Sequence, residues 1–173
     1  MFLDLCKKRR SIRKFTDKEV SDEDLNYILN CALLSPTAKN FDSKKYIVVR
    51  NKDTLLKLST FKKVNSGFLK DANLAIVVLT DKDIAVNTYS QDASISATYI
   101  QMAAVDLGLS SCWANVLEQK DAKGEFGHNI IRNILSIPEN YNVECVIGIG
   151  YANVIPREKK ELDFNEHVHF EKF

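Results

Sequence analysis

Leu74-Ala75-Ile76-Val77-Val78-Leu79 decides how the rest of this chain is read. Six apolar residues in unbroken succession, rich in β-branched side chains, predict a strand covered on both faces. Upstream, Tyr46-Ile47-Val48-Val49 reads as a second strand. Downstream, residues 90–107 read as a helix that is apolar nearly all round, with Ile95, Tyr99, Ile100, Met102 and Val105 among its alanines. Such a helix belongs in a core or at a subunit interface. Gly108 suits its C-cap. Ser110 to Asn115 is a short strand, 123–135 a further helix stopped by Pro138, and Val143 to Gly150 a last strand. Before the first strand come a helix over 2–10 and another beginning at Ser21, with Asp24 at its third position and Leu25, Ile28, Leu29 and Ala32 at helical spacing. Residues 52–70 suggest helix interrupted near Asn65.

Helices and apolar strands alternate over 173 residues with no repeat or linker. The expectation is one α+β domain over 1–173, a central mixed sheet flanked by helices. The charged segment 152–173 is too short to fold alone and is expected to wrap a dimer partner.

Bulk composition excludes several classes. With 24 basic and 23 acidic residues the net charge is +1, so nothing favours nucleic acid or an anionic membrane. No apolar run reaches the roughly 20 residues of a membrane span. The N-terminus lacks a secretory signal, and a cytoplasmic location is expected. Cys6, Cys31, Cys112 and Cys145 show no metal-ligand spacing and read as four buried, reduced thiols.

The cationic run Arg9-Arg10-Ser11-Ile12-Arg13-Lys14-Phe15 carries the chemistry. Guanidinium forks and a hydroxyl suit phosphate oxygens. Taken alone, the run reads equally as a solvated face or as cations gathered at a helix C-terminus.

Six segments in order resemble the nitroreductase family of FMN-dependent oxidoreductases. Residues 9–15 are similar to its Arg-x-Ser-x-Arg/Lys-x-Phe opening, and 35–40 to its Ser-Pro-Ser-x-x-Asn loop. Lys70-Asp71-Ala72-Asn73 resembles the entry to an apolar strand, and 92–97 the start of the long central helix. Leu107-Gly108-Leu109-Ser110-Ser111-Cys112-Trp113 is similar to its Leu-Gly-Leu-Gly-x-Cys-Trp turn. Pro138-Glu139 with Gly150-Tyr151 resembles its ending.

The resemblance implies a homodimer with FMN at the interface and ping-pong hydride transfer from NAD(P)H to nitroaromatics, quinones or related acceptors. It also leaves open a flavin store or sensor without efficient turnover. Residue by residue, it implies that Arg9, Ser11 and Arg13 hold the phosphate and ribityl end, with Arg10 acting through its backbone. Pro36, Thr37, Ala38 and Asn40 would approach the partner's flavin, and Asn65 the ring edge. Ala114, Asn115 and Val116 would present backbone N–H groups to the ring. Arg157 and Lys159 would complete the phosphate site. No catalytic side chain and no metal is implied, because flavin carries the redox chemistry.

The chain departs from the family pattern at Asn40-Phe41-Asp42-Ser43-Lys44, where Gln, Pro and Trp are lost, and at Asn115-Val116, where two glycines are frequent.

Overall fold

The computed structural model describes all residues, Met1 to Phe173. Its elements in order are α1 (Phe2–Lys8), α2 (Asp22–Leu33), β1 (Lys44–Val49), α3 (Lys52–Leu58), β2 (Leu74–Asp81), α4 (Tyr89–Asp106), β3 (Ser110–Asn115), α5 (Gly127–Leu135), β4 (Tyr141–Gly150) and α6 (Phe164–His167), with 3-10 turns at Ala38–Asn40 and Gly67–Asp71. The α+β class expected from the sequence is the class observed.

The sheet runs β1-β2-β4-β3. Every pairing among these strands is antiparallel: Ile47 faces Val77, Ile76 faces Ile147 and Trp113 faces Ile147. The expectation of a mixed sheet is therefore corrected to four antiparallel strands. Parallel pairing is confined to a single bridge, Ser11 to Ser111, outside the named strands. Helical connections need not produce parallel neighbours, because β2 and β4 come together across α4, β3 and α5.

β2 is buried along all eight residues. Its alternate side chains separate into two cores, as the period of a strand requires. Ala75, Val77 and Leu79 join Val146, Cys112 and Ala114 against Leu55, Leu58, Phe61, Leu69 and Ile131. Leu74, Ile76 and Val78 join Cys145, Ile147 and Ile149 against Ile28, Ala32, Ala97, Ile100 and Ala104. The molecule is thus three layers: α2 and α4, then the sheet, then α3 and α5.

Local chemistry sets the helix ends. Ser21 Oγ accepts from the Asp24 amide at 3.0 Å, as the capping pattern predicts. Gly108 follows α4 with φ +74°, a backbone state that a Cβ would oppose. α5 starts at Gly127 rather than 123, because Asp121 Oδ1 accepts from the Lys123 and Glu125 amides and holds those residues in a turn. Cys112 and Cys145 are buried as expected, whereas Cys6 and Cys31 are only half-buried. Apart from the one-turn α6, residues 152–173 are irregular, and their side chains are exposed throughout. No helix is long and apolar enough to cross a membrane.

Candidate cofactor site

The basic segment is held in extended form beside the sheet. The Ile12 amide donates to the Ser111 carbonyl at 3.1 Å, and the Thr16 amide to the Tyr151 carbonyl at 2.9 Å. Ile12 and Phe15 are sunk into the core at 5% and 8% exposure, whereas Ser11 before them and Arg13 between them stay exposed. Two apolar anchors therefore present the polar residues outward. Arg10 turns the other way. It borders a small cavity with Val105, Gly108, Ser110 and Pro156, and its Nη1 is buried without a partner.

Since Ser11 stands beside Ser111 in parallel pairing, the segment runs along β3 in the same direction. At about 3.3 Å per residue, the four steps from Ser111 to Asn115 cover about 13 Å. Arg9 and Arg13 lie close enough to the Cys112 thiol to act on its ionisation, and so does Lys62. Burial pushes that thiol up, and the three cations oppose the shift.

Lys62 completes the row, and sequence reasoning missed it. It is 8% exposed, and its Nζ donates to the Asn115 carbonyl at 3.2 Å. Burial lowers its pKa, the field of Cys112 opposes that, and Arg13 reinforces it. The sequence signal was weak: Lys62-Lys63 reads as an exposed pair, but Lys63 alone is exposed. The Lys63 amide donates to the Lys120 carbonyl at 2.9 Å, tying this turn to the one after β3. Asn65 sits in the tied turn, exposed, with φ +64°. Ala114 and Val116 are buried, and Asn115 is half-buried.

The charges here are unbalanced. The whole chain forms two ion pairs, Met1 with Asp4 and Arg50 with Asp22. Neither involves Arg9, Arg10, Arg13 or Lys62. A row of cations along one strand, with no carboxylate of its own, suits an elongated ligand with an anionic end and hydrogen-bonding polar edges.

The loop holding Pro36, Thr37, Ala38 and Asn40 is elsewhere. The Ala38 amide donates to Asp92 Oδ1 at 3.0 Å, in the first turns of α4. The Arg10 cavity, by contrast, is bordered by Val105 at the other end of that helix. Thirteen residues of rise separate the two ends by about 20 Å. The Arg10 end of the row is therefore far from that loop, whereas its Ala114–Val116 end lies level with the start of α4, where Ser90 and Ser94 donate to Glu144 and the Val116 amide donates to the Glu144 carbonyl.

Within that loop Lys39 and Asn40 both have positive φ, 51° and 57°. Lys44, which stands where the family pattern has Trp, fixes the segment. Its buried Nζ donates to the Leu33 carbonyl at 3.0 Å, to Ser35 Oγ at 2.8 Å and to the carbonyls of Ala32 and Ser35. It satisfies the last carbonyls of α2 with a cation. Burial lowers its pKa while Asp92 and Asp42 act in the opposite sense.

Arg157 and Lys159 are exposed on the tail. Pro156 reaches the Arg10 cavity, and Lys159 shares a groove with Lys7 and Lys8. The tail thus passes the N-terminal side of the basic row.

Comparison with known proteins identifies the family. The model of the nitroreductase family matches residues 6–62 and 55–151. The chain belongs to the nitroreductase family, and it is an enzyme of the oxidoreductase class. It is 43% identical to a solved structure titled as an FMN-dependent nitroreductase from Clostridium difficile R20291, with a TM-score of 0.92 over 99% of both chains. A nitroreductase family protein from Clostridium difficile 630 superposes with a TM-score of 0.84 at 30% identity, covering 100% of this chain and 99% of that one. A protein of Archaeoglobus fulgidus, provisionally named an NADH dehydrogenase/NAD(P)H nitroreductase, is 35% identical over 95% of this chain and 94% of its own length.

Proposed function

We propose that the chain is an FMN-dependent NAD(P)H oxidoreductase that reduces nitroaromatics, quinones or related electron-poor acceptors. The observation that carries this reading is the unpaired cationic row Arg9, Arg13 and Lys62 along β3, in a chain of this family. When bound there, FMN supplies the two-electron chemistry, taking hydride from NAD(P)H and passing it to the acceptor.

The chain's own residues bind and orient. Arg9, Ser11 and Arg13 hold the phosphate and ribityl end through charge-assisted hydrogen bonds. Lys62 and Asn65 face the ring edge, and Asn115 offers a backbone donor without a titratable side chain. The Val116 amide is spent on the Glu144 carbonyl at 3.3 Å and that of Ala114 turns the same way toward β4, which corrects the expectation of three free amides. Arg10 contributes through its backbone, and Arg157 and Lys159 add cations from the tail.

The second half of each site comes from a homodimer partner. Phe2 on α1, Leu33 on α2, and Ile95 and Tyr99 on α4 leave large apolar side chains exposed, as an uncovered interface would. A two-fold pairing through α4 would bring Pro36, Thr37, Ala38 and Asn40 of one copy to the basic row of the other. The exposed tail would then lie across the partner.

The test is the visible spectrum of the purified protein, before and after anaerobic NADH or NADPH. A flavin spectrum that bleaches within the mixing time, and returns with a nitroaromatic or quinone, supports the reading. A bound flavin that neither donor bleaches would assign the chain instead as a flavin store or sensor. A protein that stays colourless and binds no added FMN would end both readings.

A further inference from the structure

A second cleft, of about 610 Å³, opens between α5 and the ends of β2 and β4. Three basic side chains converge on it, Lys82, His128 and Arg132, together with the rings of Tyr89 and Tyr141. All five are half-buried. Leu117 forms one wall, two residues beyond the Asn115 backbone that faces the proposed ring site.

The cations are again unpaired. Lys82 Nζ makes no hydrogen bond or ion pair, and Arg132 donates only to the carbonyls of Pro138, Glu139 and Tyr141. Glu125 and Glu139 also border the cleft but are exposed and pair with none of the three. His128 has its pKa lowered by burial and by the positive fields of Arg132 and Lys82, which line the same cleft. Such a set suits a diphosphate. The two phenol rings beside it suit a planar base, since their faces stack and their hydroxyls bond.

Building on the proposed function, we infer that this cleft holds the adenosine diphosphate half of the nicotinamide dinucleotide while the nicotinamide reaches past Leu117 to the ring site. The cleft thus gives the dinucleotide a contact that the acceptor does not share, while both react at the same ring. Lys82 and Arg132 meet the diphosphate, and Tyr89 and Tyr141 flank the base.

The experiment uses the FMN-loaded protein and the probe ADP-ribose, which carries the diphosphate and base but no nicotinamide. Titration calorimetry compares the wild type with Lys82→Gln and Arg132→Gln. Lys82→Gln is the decisive variant, because its side chain has no bond in the fold to lose. Binding is expected to weaken about tenfold in either variant, the loss of one charge-assisted contact. Kinetics then compare NADH and NADPH with 1-benzyl-1,4-dihydronicotinamide, a donor without phosphate or base. The KM for the dinucleotides is expected to rise by the same factor with kcat unchanged, and the small donor is expected to be indifferent. No ADP-ribose binding by the wild type, unchanged affinity in Lys82→Gln, or equal effects on both kinds of donor would overturn the inference. A wild type that oxidises no donor at all would instead defeat the proposed function, a result that the calorimetry reads separately.

Discussion

Lys62 Nζ donates to the backbone carbonyl of Asn115 at 3.2 Å, joining the turn after α3 to the end of β3. A buried ammonium with one carbonyl and no carboxylate is costly to the folded chain. Lys62→Met is therefore expected to leave the apoprotein as stable or more so. The same change is expected to weaken FMN by about tenfold to a hundredfold, since a hydrogen bond to a charged group contributes about 1.5–3 kcal/mol. Melting of the apoprotein and quenching of flavin fluorescence measure the two effects, and parallel losses in both would refute the role.

The phosphate end is separable from the ring. Arg9→Gln and Ser11→Ala are each expected to reduce FMN affinity about tenfold to a hundredfold, the value of a hydrogen bond to a charged group. Riboflavin, which lacks the phosphate, should bind all three proteins alike. An equal loss for riboflavin would place these residues away from the phosphate.

Ile95 is 39% exposed on the uncovered face of α4. Ile95→Glu puts a charge there at little cost to a lone chain. Light scattering is expected to find a monomer, and the monomer is expected to hold FMN poorly because the proposed site draws Pro36 to Asn40 from the other copy. A dimer that survives this change would move the interface elsewhere.

Tyr27 Oη donates to Asp106 Oδ2 at 2.7 Å across α2 and α4, and this bond, with the field of that carboxylate, raises the phenol pKa to about 12. The folded pKa lies above the ordinary value of 10.0, so the unfolded chain loses the proton first. The stabilisation is complete below pH 10 and is lost as pH rises toward 12. Asp106→Asn is expected to bring the phenol absorbance titration down toward 10. Tyr27→Phe is expected to remove that part of the alkaline decline in stability.

Ile147 is fully buried in β4, between Ile76 and Trp113. Ile147→Ala is expected to cost about 2–5 kcal/mol, and urea melts would measure it. A cost under about 1 kcal/mol would mean that the helix side of the sheet can collapse around the deleted carbons.

Much of the fold was legible because apolar period follows secondary structure directly. β3 runs over Ser110–Asn115, the bounds its sequence suggested, and Ser21 caps α2 as its spacing required. The strand partners were not legible: an apolar run says that a strand is covered, not in which direction its neighbours travel. At the site, the Arg9–Arg13 cluster could be found because its donors are contiguous. Lys62 could not, since its burial arises from Phe61 and Asn115, far apart in sequence. Nor could the distance between Ala38 and Arg10 be read, because it depends on α4 standing between them. The altered Asn40–Lys44 loop departs from the family pattern, yet Lys44 holds the segment through hydrogen bonds to Ala32, Leu33 and Ser35.

With 24 basic and 23 acidic residues, the chain forms two ion pairs, and both are at the surface. Exposed pairs add at most about 1 kcal/mol each, so the fold gains almost nothing from Coulomb attraction that salt could remove. The basic row has the opposite character, because its attraction for an anion is screened over about 3 Å at 1 M salt. Concentrated neutral salt should therefore strip the protein of an anionic ligand while leaving the polypeptide intact, and dilution should restore it.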